Sequence, residues 1–250
     1  MLQRAEEIIG KAIAATDGAL GHIADLYFDD HQWVVRYFVV DTGNWLSGRL
    51  VLIAPEAIRG EASEGESVAV SLTKEQVEGS PSVDTAKPVS RQQEIPYRDY
   101  FGWPAYGTGL WGAAGIGMTP GLDTMTEQAV ADQKRAIREG DPNLRSVSVV
   151  DGYHIHAADG DVGHVEDFII DTKTWAIRYA VVDTRNWLPG KKVLVSPDSI
   201  NTVDWFKSLV YVDLTMDRIK NAPEFDDSTP LASEYESSLQ EYYDSAAHVI

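Results

Sequence analysis

A long internal repeat limits what this chain can fold into more than any other feature of its sequence. The segment Asp17–His22 recurs as Asp159–His164, and the same offset of 142 residues then holds without a gap through residue 58. Half of the positions from Asp17 to Ile58 are identical in the two copies. A chance match of this length is negligible, so the chain contains two copies of one module, too few for a solenoid. The most distinctive matches pair Trp33 with Trp175, Arg36–Tyr37 with Arg178–Tyr179, Val39–Thr42 with Val181–Thr184 and Asn44–Leu46 with Asn186–Leu188.

Each copy is predicted to consist of short β-strands separated by turn residues. The clearest strands of the first copy are Gly21–Phe28 and Trp33–Val40, which the loop Asp29–Gln32 joins as a hairpin. Many short strands with regular turn signals favour a small barrel or sandwich. We therefore predict a mostly β protein with two small β-barrels, short flanking helices and a linker rich in glycine and tryptophan. Further strands are predicted at Ile8–Ala15, Arg49–Ile53 and Ser67–Leu72, and the second copy repeats the series between Val150 and Leu214.

The alternation of side chains predicts the register of the hairpin. If Phe28 pairs with Trp33, period-two alternation assigns the face with His22 to the barrel interior. The matching His164 then faces the second interior, where a histidine hydrogen-bonded to backbone is one interpretation and a pH-sensing role is the other. Opposite charges also face each other across the strands in this register. The predicted ion pairs are Asp25–Arg36 and Asp167–Arg178.

The opposite face of the hairpin carries Ile23, Val34 and Phe38, which is apolar for a solvated sheet face. We expect this face to be covered by the other copy, the linker, the segments after each barrel or another protein. Because a duplicated module often replaces a symmetric dimer, we expect the two copies to face each other about a pseudo-two-fold axis.

The repeat and the composition between its copies set the predicted domain boundaries. Residues 101–112 are rich in glycine and aromatic residues and predict irregular chain, and Thr126–Glu139 has the pattern of a helix. The segments Lys87–Tyr100 and Thr229–Ala247 either bind a partner as arms that order on docking or fold back over the sheet as short helices. The predicted domains are residues 1–85 for the first barrel, 86–145 for the segment after it, the linker and the helix, 146–227 for the second barrel and 228–250 for the C-terminal tail.

Composition argues against several classes of function. The chain carries 39 acidic and 21 basic residues, for a net charge of −18. This balance argues against nucleic-acid binding through phosphates and against an anionic membrane surface. There is no cysteine, which excludes disulfides and cysteine-based catalytic or metal sites. No run of about 18 apolar residues and no signal peptide are present, so we predict a cytoplasmic protein without a membrane span.

Several motifs, in the same order in both copies, resemble the PRC-barrel domain family. The run Gly152–Asp167 resembles the opening of such domains, and Trp175–Val182 followed by Asp183–Val193 resembles their continuation. The resemblance covers both copies and their tails. The motifs that resemble the tail of stand-alone bacterial members are Ser80–Asp84 and Arg91–Glu94 with Tyr97 and Tyr100.

The resemblance implies a fold and a role in assembly. The family includes the cytoplasmic domain of the heavy subunit of photosynthetic reaction centres and the C-terminal domain of the ribosome-maturation factor RimM. In both settings the barrel is a supporting or protein-binding module and not a catalyst. The sequence shows neither the membrane helix of the first nor the extra N-terminal domain of the second, so we do not expect either specific role to carry over.

The second copy carries a group of histidines that suggests a metal site. His154 and His156 lie two residues apart on one face of a strand, with His164 and acidic turn residues nearby. Imidazole and carboxylate groups are common ligands of divalent metals. A metal site at these three histidines is one interpretation, and a half-exposed strand with polar side chains is the other.

The repeated loops around Trp45 and Trp187 also admit two interpretations. Asp, Asn and Thr side chains hold turns by bonding local backbone. A tryptophan that caps the barrel would be retained for stability, because truncating a buried tryptophan costs about 3–5 kcal/mol. In the functional interpretation, each loop exposes its tryptophan to recognise a partner.

These observations favour a non-catalytic protein-interaction or scaffold module that binds a protein partner or itself. No motif supports an enzyme or a cofactor. Gly107–Gly112 matches the pattern G-x-G-x-x-G, but the sequence around it shows neither the preceding strand nor the following helix that a dinucleotide site needs. The alternative is a metal- or ligand-responsive sensor that uses the three histidines. The residues predicted to contact a partner are Val34, Arg36, Phe38, Asn44, Trp45, Arg178, Asn186 and Trp187.

Overall fold

The protein, described by a computed structural model, divides into two compact units. One unit contains Ile9–Ser146, and the other contains Met1–Ile8 together with Val147–Ile250. Short strands with a few short helices confirm the predicted mostly β fold. The linker beyond residue 103 and the helix predicted at Thr126–Glu139 lie outside the described residues. The described residues are 1–60, 67–81, 97–103, 144–184, 191–204, 206–226 and 233–244.

The N-terminal part of the chain folds into short strands and one-turn helices. Its elements are β1 (Leu2–Arg4), α1 (Ala5–Ile8), β2 (Ala12–Ala15), β3 (Gly18–Asp29), β4 (Val34–Asp41), β5 (Leu50–Ile53), β6 (Ser67–Ala69), α2 (Lys74–Glu78) and α3 (97–101). In the sheet of the first copy, β3 lies between β2 and β4, and β5 pairs with β4. β6 pairs with β2 in parallel.

The C-terminal part repeats this arrangement. Its elements are β7 (Leu144–Ser146), α4 (Val147–Val150), β8 (His154–Ala157), β9 (Gly160–Asp171), β10 (Ala176–Asp183), β11 (Lys192–Val195), β12 (Ile200–Asp204), β13 (Leu209–Val212), α5 (Met216–Lys220) and α6 (Ser233–Asp244). β9 lies between β8 and β10, β11 pairs with β10, and the hairpin of β12 and β13 joins β8 in parallel. Among the described strands of each unit, the pairing forms an open path and not a closed ring.

Two repeated glycines allow β3 and β9 to pass close to the end of the next strand. Gly21 and Gly163 have φ angles of 144° and 150°, in a region that residues with a side chain rarely adopt. A Cβ atom at either position would overlap the carbonyl group of Asp41 or Asp183. Backbone geometry therefore explains why both copies carry glycine here.

The hairpin of β3 and β4 forms as predicted, but its predicted register is wrong. Phe28 pairs with Val35 and not with Trp33. Trp33 adopts a left-handed φ of 52° and donates its N–H to the Asp29 carbonyl, so it belongs to the loop. Two β-bulges shift the pairing further along the strands. A left-handed turn and bulges leave no periodic signal in the sequence, which is why strict alternation fails here.

The predicted ion pair between Asp25 and Arg36 is therefore wrong. Asp25 lies opposite Val39 and accepts a hydrogen bond from the Ser146 hydroxyl. Arg36 instead lies 3.7 Å from the Asp29 carboxylate at the hairpin loop.

Residues on both faces of the hairpin are buried, so the apolar face with Ile23 and Phe38 is covered, as its composition predicted. Tyr37 packs in a cluster with Tyr97 of α3. Ile23 and Phe38, on the opposite face, are both 0% exposed. His22, which was predicted to face the interior, is exposed. Alternation separates the two faces of a strand, but it does not identify an inside when both faces are covered.

The described parts of the segments after each barrel fold back onto that barrel. The Leu52 N–H donates to the Tyr97 hydroxyl at 2.9 Å, and the Tyr243 hydroxyl of α6 donates to the Leu194 carbonyl at 2.8 Å. Leu52 and Leu194 are matching positions of the repeat, so both segments reach the same strand of their barrel. These segments thus fold back over the sheet, as one of the two interpretations predicted, but Tyr97 packs against Tyr37 of the face that was predicted to be inner.

The strand that precedes each copy completes the sheet of the other copy. β1 pairs antiparallel with β9, and β7 pairs antiparallel with β3. Matching residues are in register, because Leu2 lies opposite Asp171 and Leu144 lies opposite Asp29. Met1–Ile8, which the sequence assigned to the first barrel, thus belong to the unit of the second. The two short strands are matching segments, so local sequence does not reveal which sheet each one joins.

Candidate interaction site

The loop after β4 uses its polar groups to hold its own shape. The Thr42 hydroxyl donates to the Arg49 carbonyl at 2.7 Å. Trp45 is half-buried, and its Nε1 donates to the Leu20 carbonyl at 2.6 Å. Asn44 is exposed. These contacts support the structural interpretation of Trp45 and leave Asn44 as the part of the loop that a partner can reach.

The matching loop of the second copy is described only at its ends. The Thr184 hydroxyl donates to the Lys191 carbonyl at 2.9 Å, which repeats the contact of the first copy. Lys191 Nζ donates to the Lys220 carbonyl at 2.5 Å and so fixes the end of the loop to α5. Asn186 and Trp187 lie outside the described residues.

The strand residues predicted to contact a partner differ in accessibility. Phe38 is 0% exposed, so its assignment as a contact residue is wrong, because it cannot reach another molecule in this fold. Val34 is half-buried. Arg36 is half-buried too, and its guanidinium donates to the Gln32 side chain. Arg178 is exposed.

The structure does not assemble the predicted metal site of His154, His156 and His164. His154 is exposed and lies opposite His164, which is only half-buried and not enclosed in the interior as predicted. His156 Nδ1 lies 2.7 Å from Asp161 Oδ1. In the part of the chain that the structure describes, no group of three His, Asp or Glu side chains is placed to bind one metal ion.

A buried ion pair joins β1 to β9 and replaces the predicted pair of Asp167 with Arg178. Arg4 Nε donates to Asp167 Oδ2 at 2.9 Å, with side chains only 10% and 5% exposed. Burial raises the pKa of Asp167 to about 6, against the opposing effect of hydrogen bonds from the Phe168 N–H and Arg4. The Glu6 N–H also donates to Asp167 Oδ2 at 3.5 Å, so both oxygens of this carboxylate accept hydrogen bonds from the protein itself.

Buried Tyr27 and partly buried Tyr235 contribute neutral hydroxyl groups to the packing of their units. Burial raises the pKa of Tyr27 and of Tyr235 to about 12, and a smaller contribution comes from Asp25 and from Tyr179, respectively. These hydroxyls stay protonated near neutral pH. They therefore act as hydrogen-bonding groups and not as bases.

An exposed aromatic residue at the turn between β12 and β13 was missed by the sequence analysis. The Phe206 side chain is fully exposed. The Asp204 carboxylate accepts hydrogen bonds from the N–H groups of Phe206 and Lys207, both at 3.1 Å. Lys207 Nζ also lies 3.1 Å from that carboxylate. The turn is thus braced from within while it presents a phenyl ring to solvent.

A comparison of the two copies could have drawn attention to Phe206, because their sequences differ at this turn. Residues 203–208 match residues 61–66 of the first copy, where the sequence is Glu-Ala-Ser-Glu-Gly-Glu. The second copy has Val-Asp-Trp-Phe-Lys-Ser at the same positions. Turns between strands are usually polar, and exposed aromatic residues on loops are common anchors of protein interfaces. The second copy thus carries an exposed aromatic residue at a place where the first copy has none.

None of the helices in the described ranges is both long enough and apolar enough to cross a membrane.

Comparison with known proteins agrees with the internal repeat. A protein from Deinococcus radiodurans, described as an uncharacterized protein, is 32% identical over an alignment of 105 residues that covers 40% of this chain and 37% of that protein. The chain thus spans little more than a third of this relative's length. The PRC-barrel domain matches at residues 2–77 and at residues 148–218, once in each copy and over more than half of the chain. The chain belongs to the PRC-barrel domain family.

Proposed function

We propose that this chain is a non-catalytic protein-interaction module of the tandem PRC-barrel type, which binds a protein partner through the turn between β12 and β13. We call this turn the Phe206 loop. The observation that carries the proposal is the fully exposed Phe206 ring on a turn that Asp204 braces. In the repeated loops, by contrast, the hydroxyls of Thr42 and Thr184 donate to backbone carbonyls of the protein itself.

The energetics of aromatic burial support this assignment. Burying a phenylalanine side chain contributes about 1.5–3 kcal/mol, which corresponds to about a tenfold to hundredfold gain in affinity. Binding loses part of such a gain when it has to order a flexible loop. The two backbone hydrogen bonds to Asp204 hold the turn before any partner arrives, so this loss is reduced. The partner is expected to supply an apolar pocket for the ring.

The charge of the chain predicts a second, separable contribution to binding. A net charge of −18 attracts basic surfaces at long range. Salt screens that attraction, whereas it leaves the burial of a phenyl ring largely intact. Partner that remains bound in added salt is therefore attributed to the apolar contact of Phe206 and not to charge attraction.

Two exposed members of the predicted contact set, Asn44 and Arg178, remain candidates for additional contacts. The metal-sensor alternative has no comparable support, because the three histidines do not form a ligand group in the described part of the chain.

The test is quantitative capture of partners from the lysate of the source organism at about 0.3 M salt. Wild-type protein is compared with Phe206→Ser and with Val149→Ser, whose residue is also apolar and 53% exposed. The proposal predicts a partner that wild type and Val149→Ser retain and that Phe206→Ser loses by about tenfold or more. Equal capture by all three proteins would overturn the assignment of the site.

A further inference from the structure

Each unit contains a strand-accepting edge, and both edges are filled by the same kind of segment. β1 lies on β9, and β7 lies on β3, with matching residues in register. The two seated segments are Leu2-Gln3-Arg4 and Leu144-Arg145-Ser146. We propose that the edge of β9 also accepts β1 from a second copy of this chain, so that two chains can exchange this strand and form a dimer.

The first position of the seated segment is a leucine in both units. Leu2 packs against a buried cluster that includes Ile169 and Leu194. Leu144 is 5% exposed and belongs to a buried cluster that includes Leu52. Each acceptor edge therefore offers an apolar site for the side chain that begins the strand.

The third position of the segment meets a carboxylate in both units. Arg4 donates to Asp167, and the Ser146 hydroxyl donates to the matching Asp25. Each carboxylate also accepts the N–H of the residue that follows it, Phe168 or Leu26, at 2.8 Å. Each acceptor edge thus combines an apolar pocket with a carboxylate that is held in place. A segment fits it when a leucine is followed, two residues later, by a hydrogen-bond donor.

A second copy of the chain is the occupant that this chemistry fits. Leaving Asp167 without Arg4 is costly, because a nearly buried carboxylate loses its charged partner. Any second chain carries the required Leu2-x-Arg4 segment. Within one chain the strand is always nearby at a high effective concentration, so wild type is expected to close on itself at low protein concentration. Exchange between chains becomes favourable when closure within one chain is opposed, which is the usual basis of domain swapping.

A charge exchange between two full-length variants tests this proposal. Arg4→Glu places a carboxylate against Asp167 of its own chain, and Asp167→Arg places a guanidinium against its own Arg4. Neither variant can close favourably on itself or on an identical chain. In a mixture, Asp167 of the first variant can accept Arg4 of the second, which is the natural pair.

The two variants are unfolded together in denaturant, refolded as a mixture, and examined by native mass spectrometry with one chain carrying a heavy isotope. The expected result is a folded heterodimer that exceeds either homodimer by about tenfold or more. The two variants are refolded together because either one alone can fail to fold, which would prevent mixing of the folded proteins. Recovery of monomers only, or of no folded species from the mixture, would overturn the proposal.

Two controls separate strand exchange from general association. The pair Lys192–Glu166 joins β11 and β9 within one copy at 2.7 Å. Mixing Lys192→Glu with Glu166→Lys is therefore expected to give no heterodimer, and an equal yield from this pair would also contradict the proposal. The double variant Arg4→Glu/Asp167→Arg restores opposite charges within one chain and is expected to remain monomeric. The result does not depend on the Phe206 contact, because Phe206→Ser leaves β1 and β9 unchanged.

Discussion

Arg4 Nε lies 2.9 Å from Asp167 Oδ2, in a nearly buried ion pair between residues that are 163 positions apart in the chain. At the matching place in the other unit, Ser146 donates to Asp25. The acceptor carboxylate is thus present in both copies, but only one donor is charged. The unit of the second copy therefore depends on an ion pair where the unit of the first copy depends on a hydroxyl group.

Removal of the Arg4 guanidinium is predicted to destabilise the unit that contains β9. Arg4→Met leaves the Asp167 carboxylate nearly buried without its charged partner, which typically costs about 3–5 kcal/mol. The measurement is the free energy of unfolding in urea. Arg178→Met makes the same change at an exposed position and is expected to change stability by less than about 0.5 kcal/mol. Similar losses for the two variants would contradict the role of Arg4.

The raised pKa of Asp167 predicts a specific dependence of stability on pH. The pKa is about 6 in the folded protein against an ordinary value of 3.8, so between these values the folded state binds more protons than the unfolded state. This group therefore favours folding below about pH 4, and its contribution is lost as the pH rises to about 6. Relative to Asp167→Asn, wild type should lose about 1 kcal/mol of stability between about pH 5 and pH 7.

Urea unfolding of both proteins at several pH values measures this difference. Because other titrating groups are shared by the two proteins, they largely cancel in the comparison. A difference that stays constant, or that grows in favour of wild type as the pH rises, would show that Asp167 is not buried as described.

The close approach at Gly163 predicts a larger cost for a methyl group there than at another glycine with positive φ. Gly163→Ala would place its Cβ against the Asp183 carbonyl, whereas a Cβ at Gly152, with a φ of 85°, meets no atom within 4 Å. Both variants incur backbone strain, but only Gly163→Ala must also move a strand. We expect it to be less stable than Gly152→Ala by about 1–3 kcal/mol in urea unfolding. Equal stability would contradict the close approach.

The contact of Trp45 predicts a structural and not a recognition role for this side chain. Trp45→Phe retains an aromatic ring but removes the N–H that donates to the Leu20 carbonyl. The expected result is a loss of about 1 kcal/mol in the free energy of unfolding, with unchanged capture of the partner that depends on Phe206. Loss of capture without loss of stability would restore the recognition interpretation of the loop.

The features of this protein that occur in both copies were predictable from the sequence. The features that interrupt the two-residue alternation of a strand were not. The offset between Gly21 and Gly163 identified the duplication, and the structure shows that both glycines are required by a close backbone approach. The β3–β4 hairpin was predicted, but its register was not, because Trp33 lies in a left-handed loop and two bulges interrupt alternation.

The candidate site was less predictable for two physical reasons. β1 and β7 are matching segments of the repeat, so the sequence does not reveal that β1 pairs with β9 and β7 with β3. Phe206 was overlooked because the sequence analysis relied on residues that the two copies share. This residue lies in a segment where the two copies differ. Phe38 lies on the apolar face that the sequence predicted to be covered, and its complete burial removes it only from the set of contact residues.

Site-specific photo-crosslinking from position 206 in living cells provides the decisive measurement of the proposed interaction. A photoreactive phenylalanine analogue at this position keeps an aromatic ring on the braced turn, and the same analogue at position 149 serves as the control. We predict one discrete crosslinked protein from position 206 that is absent from position 149. No crosslinked protein from position 206, or the same products from both positions, would contradict a protein-interaction site at Phe206.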